Sequence, residues 1–191
     1  VGAAIGFDLV AGKFAADSLV IAGTPGEVTD ALMPHFAEME HSSLLAMLNE
    51  EAAQAPQQPA VPLRPLLEGF RAQNIALGVA TNDSEVPARA HLGAAGITDL
   101  FDFIAGYDSG HGGKPAPGQL LAFAKAVGLE PAQIAMVGDS THDLHAGRAA
   151  GMRTIAVLTG TAVTAQLAPF ADVVLADIGE IPAWLAAQGA V

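Results

Sequence analysis

The sequence predicts an α/β fold built on a doubly wound parallel sheet, preceded by a small helical segment. Three observations carry this. Short, continuously apolar runs recur at 75–80, 102–105, 134–137, 153–158 and 172–175, and strands that read as continuous rather than alternating are buried on both faces. Helical patterns separate these runs, and alternation of strand and helix implies a parallel sheet with crossovers. Gly96, Gly128 and Gly151 each stand just past a helical stretch, where a left-handed residue closes the last turn.

The elements follow in order. Thr24-Pro25-Gly26-Glu27 is a helix start, with Thr24 as N-cap, proline at the first helical position and Glu27 completing a capping box. Pro34 limits or kinks that helix. A second helix starts at Ser42 or Ser43 and runs to about Ala55, with Leu44, Leu45, Met47 and Leu48 on its apolar face. The stretch 55–62 holds three prolines, Pro56, Pro59 and Pro62, which neither a helix interior nor a central strand accepts. It reads as a hinge between a segment over 1–60 and a larger part over 61–191. Downstream, the five strands alternate with helices over 84–95, 117–127 and 142–150, and a final helix spans 179–188.

Composition bounds the function. The 191 residues suffice for one full domain with a small appendage. Apolar residues make up 51%, enough for a sizeable core, and charged residues only 15%, which excludes bulk disorder. The net charge of −12 argues against nucleic acid or an anionic membrane as partner. With no cysteine, disulfides, Cys-bound zinc, iron–sulfur clusters and thiol catalysis are excluded. No apolar run reaches the roughly 20 residues that span a bilayer, and no basic segment introduces the chain. A cytoplasmic protein is the expectation. The first residue is Val1 rather than Met, as in a processed or trimmed product.

In open α/β sheets ligands bind beyond the carboxyl ends of the strands, and three such ends carry unusual residues. The run 75–80 ends in Thr81-Asn82-Asp83, a hydroxyl and an amide that can donate to phosphoryl oxygens; the bland alternative is that Ser84 or Asp83 caps the next helix. Gly110-His111-Gly112-Gly113-Lys114-Pro115 places one of eight basic residues in a glycine-rich loop. That loop lacks the spacing of a P-loop. Gly138-Asp139-Ser140-Thr141-His142-Asp143 sets two carboxylates four apart where a strand turns into a helix. Hard oxygen ligands of this kind suit Mg²⁺. Helix capping is the bland alternative, and His142 with His145 raises a transition metal as another.

Taken together, Val79-Ala80-Thr81-Asn82, Gly113-Lys114-Pro115 and Gly138-Asp139-Ser140-Thr141-His142-Asp143 resemble the second, third and fourth motifs of the haloacid dehalogenase-like (HAD) hydrolase superfamily. The likeness is greatest to its phosphoglycolate phosphatase-like branch. The resemblance spans about Pro62 to Leu175 and implies a Rossmann-like core with an α-helical cap. It further implies a Mg²⁺-dependent phosphatase acting on a small phosphorylated metabolite through an aspartyl-phosphate. By that resemblance Thr81 and Lys114 are catalytic, Thr81, Asn82 and Lys114 bind phosphate, and Asp139 and Asp143 belong to the metal site.

The family's first motif, Asp-x-Asp-Gly-Thr/Val, has no counterpart in the chain. The nearest string is Phe7-Asp8-Leu9-Val10, and Val10 cannot act as acid or base. In one reading Asp8 is a degenerate nucleophile. In the other the first motif lies upstream and residues 1–60 are an incomplete cap. Only two clear helices before the hinge favour the second. The functional alternative is a non-catalytic phosphate- and metal-binding regulatory module on the same fold.

Overall fold

The computed structural model describes residues 1–15 and 18–189. It begins with a small antiparallel hairpin of β1 (Phe7–Asp8) and β2 (Lys13–Phe14), whose rings Phe7 and Phe14 lie 4.8 Å apart. Three helices follow, α1 (Leu19–Ala22), α2 (Pro25–Leu32) and α3 (His41–Gln54). The α2 start has the geometry its sequence calls for. Thr24 Oγ1 accepts from the Glu27 amide at 3.2 Å, and Glu27 Oε2 accepts from the Thr24 amide at 2.7 Å. At Pro34 the helix passes into a 3₁₀ turn, Met33–His35. The proline-rich stretch before Leu63 holds no regular element.

The larger part runs α4 (Leu63–Ala72), β3 (Gly78–Ala80), α5 (Glu85–Ala94), β4 (Phe103–Ala105), α6 (Gly118–Val127) and β5 (Ala135–Gly138). It continues with α7 (Thr141–Ala149), β6 (Arg153–Val157), α8 (Thr164–Leu167), β7 (Val173–Leu175) and α9 (Ile181–Ala187). The expected strands are all present, most of them shorter than their apolar runs. Helix α4 was not expected. Leu63, Leu66, Leu67 and Phe70 recur at helical spacing, and Pro65 falls in the first turn, where its missing N–H is harmless.

Every pairing between these longer strands is parallel: β3 with β4, β5 with β6, and β6 with β7. Among the described residues no strand hydrogen-bonds β3 to β5, so the parallel layer consists of two ladders. Side chains join them on both faces. Met136 packs with Ala80 against Leu120 and Ala124 of α6 and Ala146 of α7. Val137, one residue on and therefore on the other face, joins Leu77 in a cluster with Leu67 and Phe70 of α4 and Ile181 of α9. Helices thus cover both faces, which is the double winding that the continuous apolar runs predict. Strand β6, paired on both sides, is buried from Thr154 to Val157, whereas β3 and β5, each paired on one side, hold no fully buried residue.

The N-terminal helices lie against this core. Ser84 holds the N-cap position of α5, yet its hydroxyl donates to Asn49 Oδ1 of α3 at 2.8 Å instead of capping. Two turns later the His91 ring bonds the Ala52 carbonyl at 2.8 Å. Among the described residues no helix is long and apolar enough to cross a membrane.

Candidate active site

The C-terminal ends of β3 and β5 border a cleft of about 500 Å³. The core lines it with Asn82, Lys114, Asp139, Ser140 and His142, and the N-terminal segment faces them with Ser18, Leu19 and Glu27. All three predicted strand ends therefore meet at one place, through Asn82, Lys114 and Asp139.

Asn82 fixes that loop. Its Oδ1 accepts from the Lys114 amide at 2.7 Å and its Nδ2 donates to the Lys114 carbonyl at 2.9 Å. The loop can come this close because residue 113 is glycine: a Cβ there would lie 3.1 Å from Asn82 Oδ1. From this anchored backbone the Lys114 ammonium reaches Asp143 Oδ1 at 2.5 Å, with the two side chains only 11% and 9% exposed. Asp143 has a second task. Its Oδ2 accepts from the Ser140 amide at 3.1 Å and from Ser140 Oγ at 2.8 Å, while Ser140 Oγ accepts from the Asp143 amide at 3.3 Å. This capping box starts α7. Gly138 makes room for it, since a Cβ there would fall 2.3 Å from Asp143 Cβ.

Asp139 is different in kind. It is half-buried, and burial, followed by the negative charge of Asp143, pushes its carboxyl above the ordinary carboxylate range; Lys114 pulls the other way. Gly160, just past β6, lies against it: a Cβ there would be 2.6 Å from Asp139 Cγ. Asp143 is already matched by Lys114, so Asp139 is the cleft carboxylate whose surroundings call for a cation. Among the described residues no three acidic or histidine side chains form a metal-binding group. Two neighbouring carboxylates nonetheless fit Mg²⁺, which keeps several waters and shares its remaining positions with phosphate.

The other predicted residues fall as follows. Thr81 sits at the end of β3, but its hydroxyl accepts from the Asp83 amide at 3.0 Å and lies 3.4 Å from Asp83 Oδ2, closing a local turn. Its carbonyl accepts from Gln119 Nε2 at 2.9 Å. Asp8 is not brought to the cleft. It is fully exposed, and bonds from the Ala11 and Val10 amides hold its carboxyl below the usual range. His142 lines the cleft, whereas the His145 ring stacks 4.4 Å from Phe170, so the two histidines do not converge. Sequence reasoning missed Gly160, Thr161 and Glu27 on the cleft wall. The rule that singled out the other strand ends applies equally to Leu158-Thr159-Gly160-Thr161 after β6, whereas Glu27 reads only as a helix cap.

Residues 21–157 match the haloacid dehalogenase-like hydrolase family. The chain belongs to that family. Among curated HAD relatives, it is 37% identical over 125 residues to a probable phosphatase IndB of Dickeya dadantii, covering 64% of this chain and 54% of the relative. It is 35% identical over 120 residues to a phosphoglycolate phosphatase of Rhodospirillum rubrum, covering 63% and 50%. The chain thus spans about half the length of the curated relatives it matches. A predicted phosphoglycolate phosphatase from Haemophilus somnus shares the fold with a TM-score of 0.73 at 24% identity, over 86% of this chain and 78% of that one. CbbY from Rhodobacter sphaeroides, solved with phosphate, does so with a TM-score of 0.74 at 22% identity, over 85% and 77%.

Proposed function

We propose that residues 1–191 form the phosphate- and Mg²⁺-handling part of a phosphomonoester hydrolase that acts on a small phosphorylated metabolite through an aspartyl-phosphate. The observation that carries this reading is the Lys114 ammonium, buried against Asp143 on a loop clamped by Asn82 and opening on the same cleft as Asp139. Residues 1–60 serve as the cap and residues 61–191 as the core.

Each residue has a role in this scheme. Lys114 carries three N–H donors; Asp143 engages one, and the others bind phosphoryl oxygens as charge shifts during transfer. Asn82 sets the loop that presents Lys114, and the Thr81 backbone and hydroxyl shape the end of β3 beside it. Asp139, with Asp143 behind it, holds Mg²⁺. When bound, the ion offsets the repulsion between phosphate and carboxylates. The nucleophilic carboxylate and its acid–base partner are assigned to a strand lodged between β3 and β5, brought by chain outside residues 1–191. The split between the two ladders and the exposed position of Asp8 support that assignment. Relatives named as phosphatases weigh against the non-catalytic alternative.

The test is hydrolysis of a generic aryl phosphate with Mg²⁺, by residues 1–191 and by a form carrying further N-terminal residues. The longer form turns over and Lys114→Ala cripples it, while residues 1–191 alone bind phosphate with Mg²⁺ without turnover. No turnover in the longer form overturns the reading.

A further inference from the structure

A second cavity, of about 540 Å³, lies at the opposite end of the sheet, at the N-terminal ends of β6 and β7. Arg148, Arg153, Asp172, Trp184 and Gln188 line it, over a floor that includes Met152. The proposed phosphatase scheme does not use this place.

Its chemistry is unusual for this chain. Acidic residues outnumber basic ones by 20 to 8, and four of the five arginines, Arg64, Arg71, Arg89 and Arg148, are paired to carboxylates. Arg153 is the exception: among the described residues no acidic side chain pairs with it. Arg148 is held in place by Asp172 Oδ1 at 2.8 Å and by its Nε bond to the Phe170 carbonyl at 3.2 Å. Asp172 is in turn committed, with Oδ2 accepting from the Thr154 amide at 2.7 Å. Arg148 and Asp172 therefore cancel, and Arg153 leaves a net positive charge at the cavity. The C-terminal end of α7 opposes it with about half an elementary charge that fades within a turn, so a full guanidinium charge prevails. Beside it stands Trp184, half-buried and the only tryptophan of the chain. An indole offers a flat apolar face for stacking and one N–H donor, and the Gln188 amide adds a donor and an acceptor.

A fixed guanidinium, a free guanidinium and an indole around one cavity match one ligand shape. We propose that this cavity is a second binding site, for a small planar anion: an aromatic ring bearing a carboxylate or a phosphate. The anion pairs with Arg153 in the two-pronged manner open to guanidinium, and the ring lies against Trp184. The site does not depend on the phosphatase reading, because it shares no residue with the Lys114 cleft.

The single tryptophan makes the test direct. Fluorescence of Trp184 is titrated, without metal, with benzoate, with phenyl phosphate and with inorganic phosphate, on the chain and on Arg153→Ala and Lys114→Ala variants. Calorimetry repeats the titrations and adds Trp184→Leu. The expected result is a saturable change with at least one ring-bearing anion and a much weaker one with phosphate. Binding falls about tenfold in Arg153→Ala, as for loss of a charge-assisted contact, and falls in Trp184→Leu, but is unchanged in Lys114→Ala. Benzoate and phenyl phosphate distinguish a carboxylate ligand from a phosphate one. The proposal is overturned if neither ring-bearing anion saturates, if Arg153→Ala binds as well as the parent, or if Lys114→Ala abolishes the signal, which would place the ligand in the other cleft. Arg153 is exposed, so its removal leaves the fold intact.

Discussion

Replacing Lys114 by methionine tests whether the Lys114–Asp143 pair organises the cleft or merely decorates it. The two side chains are 11% and 9% exposed and their charged atoms are 2.5 Å apart. Removing one partner of a buried pair leaves the other charge uncompensated and costs about 3–5 kcal/mol. Asp143 retains bonds from the Ser140 amide and hydroxyl, which places the expected loss near the lower end, about 3 kcal/mol. For a chain of this size each kcal/mol moves Tm by about 2–4 °C, so the midpoint falls by roughly 6–12 °C. The opposite change, Asp143→Asn, costs less, because a lysine stem can bend its ammonium toward water. The double variant Lys114→Met with Asp143→Asn costs less than Lys114→Met alone, since no unpaired charge remains. Urea and thermal unfolding of the three variants give the cycle. A loss below about 1 kcal/mol for Lys114→Met, the value of an exposed pair, or strict additivity in the cycle, would refute the reasoning.

Four further outcomes are expected. Ser140→Ala removes the hydroxyl half of the α7 capping box and lowers stability by about 1 kcal/mol in urea unfolding. Gly160→Ala drives a methyl toward Asp139 Cγ, 2.6 Å from the Cβ position; Mg²⁺ affinity measured by calorimetry falls about 10–100-fold while Tm changes little. Asp172 is held below the usual carboxylate range, first by the Thr154 amide and then by Arg148. Its stabilisation is therefore complete above the ordinary value of about 4 and is lost as pH falls through the depressed value; in urea titrations between pH 7 and pH 2, Asp172→Asn has a shallower acid limb than the parent. Stripping divalent metal with EDTA abolishes phosphate binding in the Lys114 cleft by calorimetry, and Mg²⁺ restores it.

The strand ends were legible because their signals are local. A buried apolar run followed by Thr-Asn-Asp or Gly-Asp-Ser names its own place in a parallel sheet, and the Thr24 capping box lies within four residues of sequence. What was not legible depends on distance along the chain. Lys114 and Asp143 are 29 residues apart, and Asp139 and Asp143 look alike in sequence. Only packing separates the carboxylate matched by lysine from its half-buried neighbour. Thr81 shows the reverse. A hydroxyl at a strand end suits phosphate and suits a turn equally, and the fold turns it to Asp83. Strand lengths were overread at Ile75 and Leu77 because burial in a side-chain cluster and membership of a ladder produce the same apolar run.

Under the proposed phosphatase reading, a cation reconciles the charge of the chain with the chemistry of its cleft. Asp139 and Glu27 line the cleft with Lys114, and Asp143 holds the ammonium. Three carboxylates thus stand against one ammonium, in a protein of net charge −12. A phosphate monoester entering this cleft meets net repulsion, and Lys114 alone cannot reverse it, because its charge is already shared with Asp143. Glu27 is tied to the Thr24 amide and hydroxyl, so it cannot swing aside without unmaking the α2 cap. Asp139 is the group free to respond: burial and the neighbouring carboxylate destabilise its charged form, and a bound divalent cation would relieve both. In the proposed reading, the same carboxylates that repel bare phosphate are therefore those that favour a metal–phosphate pair as the occupant.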